Sequence, residues 1–206
     1  MTKQTLKGLS QHVSQCVECG LAESRTQVVF GSGNPNADYF FIGEGPGAKE
    51  DLEGEPFIGR SGKLLSRLIG EELKIDRSQC YIANVVKCRP PNNRNPKSIE
   101  ISTCKPYLDE QIQLVNPVVI IPLGNFASRL LLNTKEGITN LRGERYSYKQ
   151  HYLVPTFNPA AALRGNTDAL KNMTLDFQLE YSWLFLKTCL LYTSPSPREA
   201  TLSGMA

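Results

Sequence analysis

Four short apolar runs punctuate the chain: Asp38 to Ile42, Tyr81 to Val86, Val118 to Leu123 and Tyr152 to Thr156. Each is rich in Val, Ile, Tyr or Phe and is bounded by Gly, Pro or Asn, the pattern of β-strands. Between them the apolar period changes. Ser61 to Leu73 sets Leu64, Leu65, Leu68, Ile69 and Leu73 on one helical face. Ile99 to Val115 does the same with Ile99, Cys104, Leu108, Ile112 and Val115, Pro117 closes it, and Asn125 to Leu132 reads as a shorter helix. Strand alternating with helix predicts an α/β fold: a three-layer αβα sandwich around a short, mainly parallel four-stranded sheet.

In such sheets ligands bind beyond the carboxyl ends of the strands. Three of the four runs lead straight into Gly/Pro-rich loops: Gly43-Glu44-Gly45-Pro46-Gly47, Lys87-Cys88-Arg89-Pro90-Pro91 and Asn158-Pro159-Ala160-Ala161. Loops after strands need Gly and Pro in any case, but three such loops at one edge predict a pocket.

The length, 206 residues with 40% hydrophobic content, suits one core, and residues 1–187 are expected to form a single domain. From residue 188 onward the expectation is a disordered or non-native tail, because Tyr192-Thr193-Ser194-Pro195-Ser196-Pro197-Arg198 and its continuation have no periodicity. The longest apolar stretches are too short to cross a bilayer, so no membrane association is expected. The polar N-terminus lacks a signal-peptide core, which makes the cytoplasm the expected compartment. A net charge of +3 permits a polyanionic partner without demanding one. Lys87, Arg89, Arg94 and Arg164 flank the loops, either as phosphate contacts or as a solvated surface.

Six cysteines without a secretory signal point to metal or catalysis before disulfides. Cys16 and Cys19 form a C-x-x-C pair, Cys88 sits in the second loop, and Cys104 lies in the helix that follows. Two near and two far thiolates suit zinc or an iron–sulfur cluster, and the spacing does not choose between them. Cys80, at the start of a strand, reads as a small buried apolar side chain.

Longer motifs carry more information. Arg25 to Gly31, Gly43 to Gly47 continuing through Glu50-Asp51 to Pro56-Phe57-Ile58-Gly59-Arg60-Ser61-Gly62, Asn84 to Pro91, and Asn158 to Arg164 follow one another in a fixed order. From about Cys16 to about Lys187 the chain resembles the family 4, thermophile-type, uracil-DNA glycosylases. That resemblance implies the glycosylase αβα fold, a monomer acting on uracil-containing DNA, and a [4Fe–4S] cluster held by Cys16, Cys19, Cys88 and Cys104. It implies that Phe57 stacks on a flipped-out uracil and that Asn84 reads the base edge, its oxygen accepting from N3–H and its amide donating to O4. Gly43 would belong to the same base site. Backbone N–H groups at Glu44 and Gly45 would face the departing base, whose negative charge grows as the N1–C1′ bond breaks. Glu50 would exclude the thymine methyl, unless it is merely a charge at a helix N-terminus. Leu163 would wedge into the DNA and Arg164 contact a phosphate.

The chain departs from the family at one position of consequence. The last motif normally begins with a His that donates to uracil O2, and here Asn158 stands in its place; the two histidines, His12 and His151, lie elsewhere. Asn158 is expected to keep the donor role in weaker form. The alternative is a catalytically weak homologue that binds uracil or abasic DNA.

Overall fold

The computed structural model describes residues 5–192, with side chains described through residue 182. Among these residues six strands form one sheet: β1 Ser32–Gly33, β2 Tyr39–Gly43, β3 Tyr81–Asn84, β4 Val119–Pro122, β5 Tyr146–Tyr148 and β6 His151–Leu153, in the order β1-β3-β2-β4-β6-β5. The four inner strands are parallel, and both edge strands pair antiparallel. Eight α-helices surround them: α1 Leu6–Ser14, α2 Ala48–Glu53, α3 Arg60–Leu68, α4 Ser98–Val115, α5 Asn125–Leu132, α6 Ile138–Leu141, α7 Pro159–Leu163 and α8 Thr167–Tyr192.

All five residues of β2 are buried, as a strand covered on both faces requires. Alternation then sorts its side chains. Phe40 and Ile42 enter one core with Leu108 and Ile112 of α4 and Ala127 and Leu131 of α5. Tyr39 and Phe41 enter the other with Leu65 and Leu68 of α3 and Met173 and Phe177 of α8. Leu9 and Val13 of α1 lie over the outer side of α4, against Phe30 and Tyr107. These are the three layers.

From β2 the chain passes to β3 on one side and then crosses to β4 on the other, so the direction of winding reverses beside β2. Gly43 pairs with Asn84, which brings the ends of β2 and β3 level. Beyond β4 and β6 a parallel bridge from Leu123 to Thr156, with Gly124 N–H donating to Thr156 O at 2.8 Å, carries the sheet toward Asn158. Four strand ends therefore open at one edge.

The four expected strands are the four inner ones, but the sheet is six-stranded rather than four-stranded. The two additions are edge strands of two and three residues, too short to display a period. β5 is joined to β6 by Lys149, at φ +53°, and Gln150. The helix expected over 61–73 is α3 followed by a π turn at Ile69–Leu73, closed by Lys74 at φ +56°. The loop expected after Asn158 winds into α7. α8 continues through Tyr192, across residue 188, and the rest of the expected tail lies outside the described residues.

α8 is fastened by its polar residues as much as by its apolar ones. Asp176, 1% exposed, accepts from Thr156 Oγ1 at 2.6 Å and from the Arg142 guanidinium, whose Nε lies at 3.1 Å. Burial pushes its carboxyl above the usual range, and the bonds from Thr156 and Arg142 oppose that shift. Glu180, also buried, accepts from Arg145 at 3.0 Å.

Candidate active site

A cleft at the carboxyl edge of the sheet encloses about 300 Å³. Glu44, Gly45, Glu50, Phe57, Asn84, Asn158 and Arg164 all line it, and the 90–96 loop closes its far wall with Asn93, Arg94 and Asn95. The structure thus brings together the side chains of three motifs far apart in sequence. Gly43 lies directly beneath them. A Cβ there would fall 2.4 Å from Asn84 Oδ1 and 2.5 Å from the Phe57 ring, so only glycine lets reader and ring approach each other.

Phe57 is held by backbone strain. Its φ is +53°, costly for an aromatic residue, and its carbonyl lies where a Cβ on Gly62 would stand, 1.7 Å away. The turn is pinned from two sides. Glu50, 8% exposed, accepts from the N–H groups of Ile58 at 3.1 Å and Gly59 at 2.9 Å through one carboxylate oxygen. Arg77 donates to Pro56 O at 2.7 Å from behind. Glu50 also belongs to the first turn of α2, so the helix-charge reading describes its position. Its hydrogen bonds add that it anchors the Phe57 turn. The neighbouring Asp51 accepts twice from Thr26 N–H, at 3.0 and 3.1 Å, which ties the Arg25–Gly31 motif to the same corner.

Asn84 is 1% exposed, and its Oδ1 has no hydrogen-bond partner. Leaving a buried amide oxygen unpaired costs about 1–3 kcal/mol, and native structures keep such a group for strain or function, or satisfy it with a water, an ion or a ligand. Asn158 caps α7: its Oδ1 accepts from Ala160 N–H at 3.0 Å, which leaves Nδ2 as the part of the amide able to donate elsewhere. Gly124, at φ +89°, allows this close approach, since a Cβ there would sit 3.1 Å from Asn158 Cβ. Burial pushes the Glu44 carboxyl up, with the Arg164 charge opposing. Leu163 does not line the cleft; it ends α7 with 39% exposure, an apolar side chain turned to solvent beside Arg164.

The sequence signals misplace one basic residue. Lys87 is no phosphate contact. It is 1% exposed, and its Nζ donates to Asn84 O at 2.7 Å and to Gln111 Oε1 at 2.5 Å. Arg94 lines the cleft but is also engaged, in a two-bond pair with Glu100 at 2.6 and 2.9 Å. Gln111, which also donates to Phe30 O at 2.9 Å, escaped notice because nothing distinguishes one polar residue in a helix from a solvated one.

Cys16, Cys19, Cys88 and Cys104 line one small, partly open cavity beside α1 and α4, together with Leu21, Val28 and Tyr107. None is in a disulfide. Three of the four sulfurs accept a bond: Cys88 from Arg25 Nη1 at 3.3 Å, Cys104 from Lys87 N–H at 3.3 Å, and Cys16 from Tyr107 O–H at 3.6 Å. Burial pushes the Cys88 thiol up to about 11, against Arg25, and pushes Cys104 in the same direction. Buried thiols such as Cys88 and Cys104 stay protonated unless positive charge is placed beside them. Among the described residues no three His, Cys, Asp or Glu side chains converge closely enough to hold one metal ion, where zinc would need each sulfur at about 2.3 Å. Four cysteines lining one cavity are a soft, all-sulfur donor set. Cys80 lies apart, fully buried in the opposite core.

Comparison with known proteins agrees with this geometry. Residues 30–181 match the family model of the uracil DNA glycosylase superfamily. The chain is 42% identical over 182 residues to a type-4 uracil-DNA glycosylase of Sulfurisphaera tokodaii, covering 84% of this chain and 82% of that protein. It is 45% identical over 163 residues to one from Saccharolobus solfataricus, covering 75% and 76%, and 40% identical over 187 residues to one from Thermotoga maritima, covering 90% and 96%. The αβα fold and the strand-end cleft are those of the uracil-DNA glycosylase superfamily. Within it, the chain belongs to the type-4 uracil-DNA glycosylases.

Proposed function

We propose that the cleft hydrolyses the N-glycosidic bond of a deoxyuridine flipped out of DNA, releasing uracil and leaving an abasic site. The observation that carries this reading is the buried, unpartnered Oδ1 of Asn84 in the same cleft as the strained Phe57 ring. Phe57 supplies a π-face for the base. Asn84 accepts from N3–H and donates to O4; cytosine presents the reverse pattern and leaves both groups unpaired. As the bond to C1′ breaks, negative charge gathers on uracil. Backbone N–H groups at Glu44 and Gly45, with Asn158 Nδ2, are the donors to stabilise it. Position 45 is glycine, so no side-chain base follows Glu44 to orient water. Leu163 fills the gap left in the stack and Arg164 contacts the backbone.

The four cysteines suit a [4Fe–4S] cluster, which when bound would cross-link the N-terminal segment to the loop after β3. Cys16, Cys19, Cys88 and Cys104 would hold it, and the Arg25, Lys87 and Tyr107 donors would stabilise the negative charge on their sulfurs. No described helix is long and apolar enough to cross a membrane. The same reading has the protein act as a monomer in the cytoplasm.

Incubating the purified protein with a uracil-containing oligonucleotide tests the activity. Alkali-labile sites should appear at uracil and nowhere else. Specific binding without strand scission after alkali would favour the binding-only homologue.

A further inference from the structure

Lys87 is the most buried cation on the chain's functional side, and its acceptors are both neutral. Its ammonium meets the Asn84 carbonyl and the Gln111 side-chain oxygen, and among the described residues no carboxylate pairs with it. A buried charge is ordinarily paired. The cysteine site lies on its other side, where the same residue's N–H donates to Cys104 Sγ and Cys88 follows directly; a thiolate at Cys104 would favour the ammonium charge. Lys87 is further clamped by Val29, whose N–H donates to its carbonyl at 2.8 Å.

We propose that Lys87 is a positioning residue: it holds the end of β3 so that Asn84 presents its amide to uracil, and it takes the cysteine site as its counter-charge. The inference rests on the reading of Asn84 as the base reader. Its geometry is short. Lys87 Nζ bonds the main-chain oxygen of the residue whose side chain reads the base. The amide has no slack either, since Gly43 clears it by less than the width of a methyl group. A shift of the Asn84 backbone would therefore pass directly to Oδ1. Gln111 completes the clamp by tying the ammonium to α4 and, through Phe30 O, to the segment before β1.

The test uses the iron-containing holoprotein and the variants Lys87→Met, Gln111→Leu and Asn84→Asp. Binding is measured with oligonucleotides carrying 2′-fluoro-deoxyuridine, which resists cleavage, or deoxycytidine. Lys87→Met should keep its iron and fold below its Tm, yet lose about tenfold in preference for uracil over cytosine, the size expected when one positioned hydrogen bond is misaligned. Affinity for undamaged DNA should not change, and Gln111→Leu should show a smaller loss in the same direction. Removing a positive charge beside the cluster should also move its reduction potential to more negative values. A merely structural lysine would lower Tm and leave the preference intact, and that result would overturn the positioning role. An unshifted potential, or a chain that binds no iron, would overturn the counter-charge role. If Lys87→Met does not fold, Gln111→Leu decides, and parental discrimination there sinks the clamp. Asn84→Asp separates the two ideas. Should it retain discrimination, the reading role of Asn84 fails; should it lose discrimination while Lys87→Met keeps it, only the present proposal fails.

Discussion

The base cleft and the cysteine cavity lie one loop apart and follow opposite rules. The cleft is open and polar, and it keeps an acceptor unpaired at Asn84 and a ring in a strained backbone at Phe57. The cavity is smaller, its accessible lining is apolar, and three of its four sulfurs already have donors. A site for a passing ligand leaves its hydrogen bonds unmade until the ligand arrives. A site for a resident group has its surroundings arranged around that group. The difference predicts which substitutions damage recognition and which damage the fold.

The largest effect belongs to the cavity. Cys88→Ser should abolish iron binding and brown colour and lower Tm by about 10 °C or more, roughly 3 kcal/mol for a domain of this size; a coloured, equally stable variant would erase the contrast. Asn84→Asp comes next. It replaces the amide donor with a second acceptor and should slow single-turnover cleavage of uracil DNA by about 100-fold or more, with iron retained and Tm lowered by the cost of a buried carboxylate. Gly62→Ala sharpens the comparison from within the cleft. Its Cβ would collide with the Phe57 carbonyl, so the turn must move, at a cost of about 1–3 kcal/mol and with loss of activity despite the distance from the base. Asn158→Ala should be the mildest: about 1 kcal/mol for the lost helix cap and a rate loss below the ~100-fold of a full oxyanion-type donor. Asn158→His should raise the single-turnover rate. DNA affinity should change little in either Asn158 variant, because phosphate contacts dominate it.

What could be read from the sequence follows the same division. The inner strands and the cleft loops announce themselves through apolar runs and Gly/Pro clusters, since backbone demands restrict residue choice there. Lys87 has no signature of its own because a lysine among Arg89 and Arg94 looks like part of a basic surface, and it is the packing of β3 against α4 that turns it inward. α8 was hidden because its buried face carries Asp176 and Glu180 beside Met173 and Phe177, which breaks the apolar period. The anchoring bonds of Glu50 were invisible for another reason: a carboxylate that caps two N–H groups eight and nine residues away has no sequence signature.

Asp176 joins three pieces of chain, α8, the turn at Arg142 and the strand end at Thr156, across separations of 34 and 20 residues. Two residues after Thr156 comes Asn158. The last loop of the cleft is thus located by a helix formed after it in the chain, and the loop cannot settle until that helix has docked. In folding, this corner should order late, after the inner strands have paired. In the native protein, an opening of α8 should release the Asn158 loop with it, so amide protons of both segments should exchange with the same protection and as one cooperative unit.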